Sequence, residues 1–207
     1  MNTTAKGDAF ELRMLSKVEQ MIREDALPIS SKHAKVFWKK SYYSEKRKGH
    51  IIVDISIECT LPREPEPSLI VIIECKDLNR PVGVEDLEEF ESKVKQIAGL
   101  NVKAMMLTTS ELRETAVNVA VANRMRVMKM NLDGSHTTIS FRKESSGVNA
   151  STKEFANALL ALTAKSGSRI RQQSIGLGPS GVYHSLRTMI SDAMAQSRTI
   201  DLIQTPE

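Results

Sequence analysis

The chain has 207 residues, 41% apolar and 26% charged, with a net charge of +4. That balance excludes a disordered or fibrous protein and fits one globular domain with an appendage. No apolar run reaches membrane-spanning length and the first residues hold no signal-peptide core, so a cytoplasmic protein with no membrane partner is expected.

Aromatics make up only 4%, so the core must rest on aliphatic residues and ten methionines. Lys6 to Ile22 has helical periodicity through Phe10, Met14, Val18 and Met21. Asp8 is a candidate N-cap and Glu11, three residues on, its capping-box partner. Glu11 also borders the apolar face, so an acid aimed at a site is its second reading, although the local sequence favours the cap. Ala34 to Tyr43 is β-prone and basic, with Trp38, Tyr42 and Tyr43 among Lys39 and Lys40.

His50 to Cys59 alternates as one strand: Ile51, Val53, Ile55 and Ile57 on one face, Ile52, Asp54, Ser56 and Glu58 on the other. Asp54 is then a carboxylate within an apolar strand, where an unpaired charge is costly. The proline-rich Thr60 to Pro67 is a connection. It leads into Ser68 to Asp77, an apolar β-branched run ending in Glu74, Cys75 and Lys76. Side chains alternate along a strand, so Glu74 and Lys76 share a face roughly 6–7 Å apart. A hairpin between the two strands would set Asp54 beside them. The bland alternative for this cluster is a salt-bridged strand end.

Glu85 to Ile97 is an amphipathic helix whose first-turn acids suit the helix dipole. Val102 to Leu107 is a strand. Thr108, Thr109 and Ser110 offer N-caps for a helix reaching about Asn123. Arg126 to Met130 is a strand and Thr137 to Phe141 an edge strand. The order implies an α/β fold, a mixed sheet covered by helices on both faces.

Composition shifts at Ser145. Residues 145–150 read as a linker, and Ser151 to Leu162 as a short helix with Phe155, Leu159 and Leu162 on one face. Ser166 to Gly181 reads as flexible and Val182 to Ser197 as a second amphipathic helix through Leu186, Met189 and Ile190. The expected division is a domain over 1–144 and, over 145–207, a tail for docking or oligomerisation. Packing of both stripes onto the core is the equal alternative.

Charge is unevenly placed. Residues 32–48 carry seven Lys or Arg against one acid, and residues 63–91 carry nine acids. Lys35, Lys39, Lys40, Lys46, Arg47 and Lys48 are candidate phosphate contacts; solvated loops explain them equally well. The two cysteines, Cys59 and Cys75, fall in strands and read as buried reduced thiols. The four histidines have no zinc-ligand spacing, and no Gly-rich phosphate loop is present.

Glu11 on a first helix, Asp54 on a strand and Glu74-Cys75-Lys76 on its neighbour together resemble the PD-(D/E)XK nuclease superfamily. The likeness is greatest to Mrr-type restriction endonuclease domains, over roughly Gly7 to Asn131. Val53 stands where the motif name has proline, and Glu74 where Mrr-like proteins often have glutamine. No winged-helix region of the kind joined to many Mrr-like domains is read in the chain.

The resemblance implies a Mg²⁺-dependent endodeoxyribonuclease, with Mn²⁺ as a substitute ion, acting in restriction or defence against foreign DNA. Asp54, Glu74 and the Cys75 carbonyl would hold the ion. Lys76 would attend the attacking water, and Glu11 would bind a second ion or orient a water. The alternatives are a nuclease-fold subunit that binds nucleic acid or a partner without cutting, and a nuclease for RNA or branched DNA. Cutting both strands calls for a homodimer or a partner protein, with the tail as its mediator.

Overall fold

Phe10, Met14, Val18 and Ile22 form the buried stripe of the first helix, α1 (Thr3–Arg23). Burying each such side chain is worth about 1.5–3 kcal/mol, which fixes the helix face against the sheet. The computed structural model describes residues 3–97, 101–130, 162–163 and 175–195. Because α1 begins at Thr3, Asp8 and Glu11 lie inside it, and the expected capping box is not formed.

The two long β-prone stretches each break in two. Ala34 to Tyr43 becomes β1 (Ala34–Trp38) and β2 (Ser41–Ser44). The break is at Lys39, whose φ of 48° turns the chain out of the strand. His50 to Cys59 becomes β3 (Gly49–Ile52) and β4 (Ile55–Cys59), with Val53 and Asp54 between them. Alternation does not carry across that break. Ile51 and Val53 join one core, while Ile55 and Ile57 join the other. The expected single face is therefore two faces, and Asp54 sits at the crossover instead of mid-strand. Backbone bonds between Lys39 N–H and Asp54 O, and between Val53 N–H and Lys40 O, hold the two breaks side by side.

The main sheet adds β5 (Leu69–Lys76), β6 (Val102–Thr108), β7 (Arg126–Lys129), β8 (Ile175–Gly178) and β9 (Gly181–Tyr183). Its order is β1-β4-β5-β6-β7-β8-β9, and β2-β3 is a separate hairpin. The β1/β4, β4/β5, β7/β8 and β8/β9 pairs are antiparallel; β5/β6 and β6/β7 are parallel. The crossovers of the parallel pairs carry α2 (Val84–Val94) and α3 (Glu114–Ala122).

Both faces are covered. Leu87 and Phe90 of α2 and Ala116, Val117 and Ala120 of α3 pack on Ile70, Ile72, Met106 and Val127. On the other face, α1 and the last described helix, α4 (Leu186–Ala195), pack on Val71, Ile73, Met105, Leu107 and Met128. The expected mixed α/β sheet with flanking helices is the fold observed.

Thr108, Thr109 and Ser110 do not cap α3, whose N-cap is Arg113. They tie two loops together instead. Ser110 Oγ accepts from Leu78 N–H at 3.0 Å and donates to Leu78 O at 2.5 Å, and Thr109 Oγ1 donates to Asp77.

The second half of the flexible reading is also corrected. Residues 175–181 form β8 and enter β9, which extend the sheet beyond β7. Gly178 lets this edge pass close over Arg126: a Cβ there would lie 2.7 Å from the Arg126 side chain. The stripe of Leu186, Met189 and Ile190 is covered within the chain by α1 and the sheet, where Met189 and Ile190 have no exposed surface. Leu162 is likewise buried, against the α2/α3 side, and its carbonyl accepts from Leu112 N–H at 3.0 Å. β8, β9 and α4 thus share one sheet and one core with the strands that precede them. The strand expected over 137–141, the linker over 145–150, Phe155 and Leu159 lie outside the described residues.

Candidate active site

β4 and β5 pair with Ile55 opposite Ile73, so the next step outward sets Asp54 against Glu74. The contact is direct: Cys75 N–H donates to Asp54 Oδ2 at 2.7 Å. Leu69, Val71, Ile73 and Cys75 face α1 and α4, whereas Ile70 and Ile72 face α2 and α3. Glu74 and Lys76 follow the second set, on the α2 side. Period-two alternation thus delivers the carboxylate and the ammonium to one face, as read from the sequence.

Glu74 is 3% exposed. Its Oε1 accepts from Lys76 Nζ at 2.9 Å and from Lys93 Nζ at 3.1 Å. Its Oε2 is buried with no hydrogen-bond partner. Such an orphaned carboxylate oxygen costs about 1–3 kcal/mol or more, since charged groups exceed the neutral range. Burial, and then the charge of Glu74, push the Asp54 carboxyl up to about 7, against the opposing Cys75 N–H and Lys76. Two crowded carboxylates, one with a bare oxygen, are the donor set expected for a hard divalent cation. Among the described residues no three His, Cys, Asp or Glu side chains group as a metal cage. Asp54 and Glu74 are the side chains that could hold an ion here, with backbone oxygen and water completing its coordination.

Glu11 is near this site but is not part of the pair. Its Oε2 accepts from Trp38 Nε1 at 3.1 Å and lies 3.6 Å from Lys39 Nζ. α1 covers the opposite sheet face from Glu74, and the charge of Glu11 reaches Asp54 only as a smaller contribution to its raised pKa. Cys75 turns to the α1 side and burial raises its thiol pKa; burial pushes Cys59 to about 11. Both thiols are free and buried, as expected.

The basic segment is largely engaged within the chain. Lys39 pairs with Asp8 at 2.6 Å, Lys40 with Glu58 at 2.5 Å and Lys48 with Glu45 at 2.6 Å. Arg47 Nε donates to Gln96 Oε1 at 2.8 Å, which ties the β2-β3 hairpin to the turn that follows α2. Glu58 is buried on β4 and also accepts from Tyr42 OH at 2.7 Å, so Lys40 is its counter-ion before it is anything else. Lys35 and Lys46 are exposed.

Lys93 escaped the reading of the sequence. Burial works against its ammonium, but Glu74 and Glu89 outweigh that and hold its pKa above the usual lysine value. The available signal was its spacing: it stands three residues after the buried Phe90, beside the apolar stripe of α2 and not opposite it.

A mixed sheet between two helical layers is consistent with the restriction-endonuclease-like α/β fold, and Asp54, Glu74 and Lys76 meet where β4 begins and β5 ends. Residues 34–132 match the family model Mrr_cat, described as a restriction endonuclease. The matched segment runs from β1 past β7 and holds Asp54, Glu74, Lys76 and Lys93; α1 with Glu11 precedes it and α4 follows it. No curated protein matches the chain.

Proposed function

We propose that this domain is a Mg²⁺-dependent endonuclease, with Mn²⁺ as a substitute ion, that hydrolyses phosphodiester bonds of foreign DNA in restriction or defence. The observation that carries the reading is Glu74, a buried carboxylate with one oxygen held by lysines and the other unpartnered, next to Asp54. A bound divalent cation polarises a phosphoryl oxygen and lowers the pKa of a water. Asp54 and Glu74 supply its carboxylates, and the Cys75 carbonyl is a third donor. Lys76 holds the attacking water and offsets the negative charge that develops on the phosphate. Glu11, fixed by Trp38 and Lys39, shapes the negative rim and orients water. Buried free thiols suit a reducing, cytoplasmic setting. Among the described residues no helix is long and apolar enough to cross a membrane.

The test uses the full chain on supercoiled, linear and branched DNA and on RNA, with Mg²⁺, Mn²⁺ or EDTA. Cutting of DNA with either metal, its loss in EDTA, and its loss in folded Asp54→Ala and Glu74→Ala are expected. A clean protein that cuts no substrate with either metal is a binding module and overturns the reading.

A further inference from the structure

Glu74 has two resident ammonium groups where the chemistry calls for one. Lys76 reaches Oε1 along its own strand, and Lys93 reaches the same atom from α2. Both lysines are about equally sheltered, 19% and 20% exposed. The position of Lys93 is built into the fold. Leu87 and Phe90 anchor α2 on the sheet with no more than 1% exposed surface, and Phe90 and Lys93 are one turn apart on that side. Glu89, one turn earlier, holds the other side of the ammonium at 3.1 Å. The start of α2 is fixed independently: Asp86 accepts from Gly83 N–H at 2.9 Å and takes Arg80 in a two-pronged pair. The bond from Lys93 to Glu74 is thus not needed to dock the helix.

An ammonium bound to a carboxylate cannot also serve a water or a phosphoryl oxygen at full strength. With an ion on Oε2, Oε1 still needs a donor, and if Lys76 were its only one, each move toward the substrate would leave that buried oxygen unpartnered, which is unfavourable. With Lys93 on the same oxygen, that cost is removed. Both lysines meet on Oε1, while the buried Oε2 has no hydrogen-bond partner.

We propose that Lys93 is a positioning residue for phosphodiester hydrolysis: it is the standing counter-ion of Glu74 and so frees Lys76 to attend the attacking water and the scissile phosphate. This assignment rests on the nuclease reading above. It makes Lys93 different from an ordinary salt bridge in one measurable way. Its positive charge beside the ligand opposes a cation, so its removal strengthens metal binding while it weakens turnover.

The test compares wild-type full chain with Lys93→Met, Lys93→Gln and Lys93→Arg. Mn²⁺ binding without DNA is measured by calorimetry, folding by thermal melting, and kcat and KM on a short duplex. For Lys93→Met and Lys93→Gln, kcat is expected to fall about a hundred-fold, the scale of a misplaced catalytic group. KM for DNA should stay within about two-fold, the pattern of an interaction that matters in the transition state. Mn²⁺ affinity should rise about two- to five-fold, consistent with one partly screened charge removed, and Lys93→Arg should recover most of the turnover. A kcat unchanged in all three variants overturns the proposal. So does a parallel loss of kcat, Mn²⁺ affinity and melting temperature that Arg does not rescue, because that is a purely structural lysine. If Lys93→Met does not fold, Lys93→Gln and Lys93→Arg decide by the same criteria. A wild type that neither binds Mn²⁺ nor cuts overturns the nuclease reading and this proposal with it. A wild type that does both beside an unaffected Lys93→Gln overturns the Lys93 assignment alone.

Discussion

The backbone N–H of Cys75 donates to Asp54 Oδ2 at 2.7 Å, so the carboxylate at the β3-β4 break is fastened to the strand that carries Glu74. This bond favours the ionised form, yet burial and the neighbouring Glu74 charge prevail and Asp54 is pushed up to about 7. The folded state therefore holds a proton more tightly than the unfolded chain. Between the ordinary aspartate range and about 7 it binds more protons, so stability falls as pH rises through that interval. Urea denaturation in EDTA at pH 5 and pH 8 should show wild type losing stability at the higher pH, with Asp54→Asn losing markedly less. Equal losses in the two proteins would refute this account. Added Mn²⁺ should offset the wild-type loss at pH 8, because a cation favours the ionised pair.

The basic segment should divide into two kinds of lysine. Lys35 and Lys46 are exposed, and their joint replacement by Ala should flatten the salt dependence of DNA binding by about one unit of slope for each phosphate no longer neutralised. Lys40→Ala should act differently. It leaves the buried Glu58 without its cation and should cost roughly 1–3 kcal/mol of stability. Melting temperature and a salt titration on the same variants separate the two. A stable Lys40→Ala with a reduced salt slope would mean that Lys40 serves phosphate after all.

Arg126 is almost fully buried, 1% exposed, and its guanidinium reaches Asp192 of α4 at 2.9 Å. Tyr183 OH donates to the same oxygen at 2.5 Å. Burial would raise the Asp192 carboxyl, but bonds from Ser180, Tyr183 and Arg126 outweigh it and hold it below the usual range. Asp192→Ala should destabilise the protein by about 3–5 kcal/mol, the cost of leaving one member of a buried pair alone. Tyr183→Phe should cost about 1 kcal/mol. Denaturant unfolding of both variants checks the ranking; equal small losses would show the pair to be solvated.

Truncation after Glu144 should not leave a sound nuclease core. It removes β8, β9 and α4, bares the edge of β7, and uncovers Met105, Leu107 and Met128 on the α1 side. An exposed strand edge beside an apolar patch predicts aggregation. Light scattering of truncated and full-length protein reads this directly. A monodisperse truncated chain with an unchanged melting temperature would restore the view of residues 145–207 as a separate arm.

Much of this protein follows from local chemistry that a linear sequence displays. The helical stripe of α1, the apolar run of β5 and the shared face of Glu74 and Lys76 all depend on spacing along one element. The hairpin placing Asp54 near Glu74 was legible too, because the proline-rich connection left the two strands few other ways to meet. Other features depend on what packs where. The alternation of residues 50–59 looked continuous, yet Lys39 and Asp54 turn the chain together and switch the buried face between Val53 and Ile55. A Gly- and Ser-rich segment at 175–181 became strand because β7 offered an unpaired edge, a property of the sheet and not of the segment. The stripe of α4 carried no mark of its partner, since an apolar face is the same whether it meets its own core or another chain. Lys93 is the clearest case. The single lysine of acidic α2 gains its place at Glu74 only because Leu87 and Phe90 set the rotation of that helix over β5. Periodicity within an element is written in consecutive residues, whereas the meeting of charges from different elements is decided by the packing that brings them together.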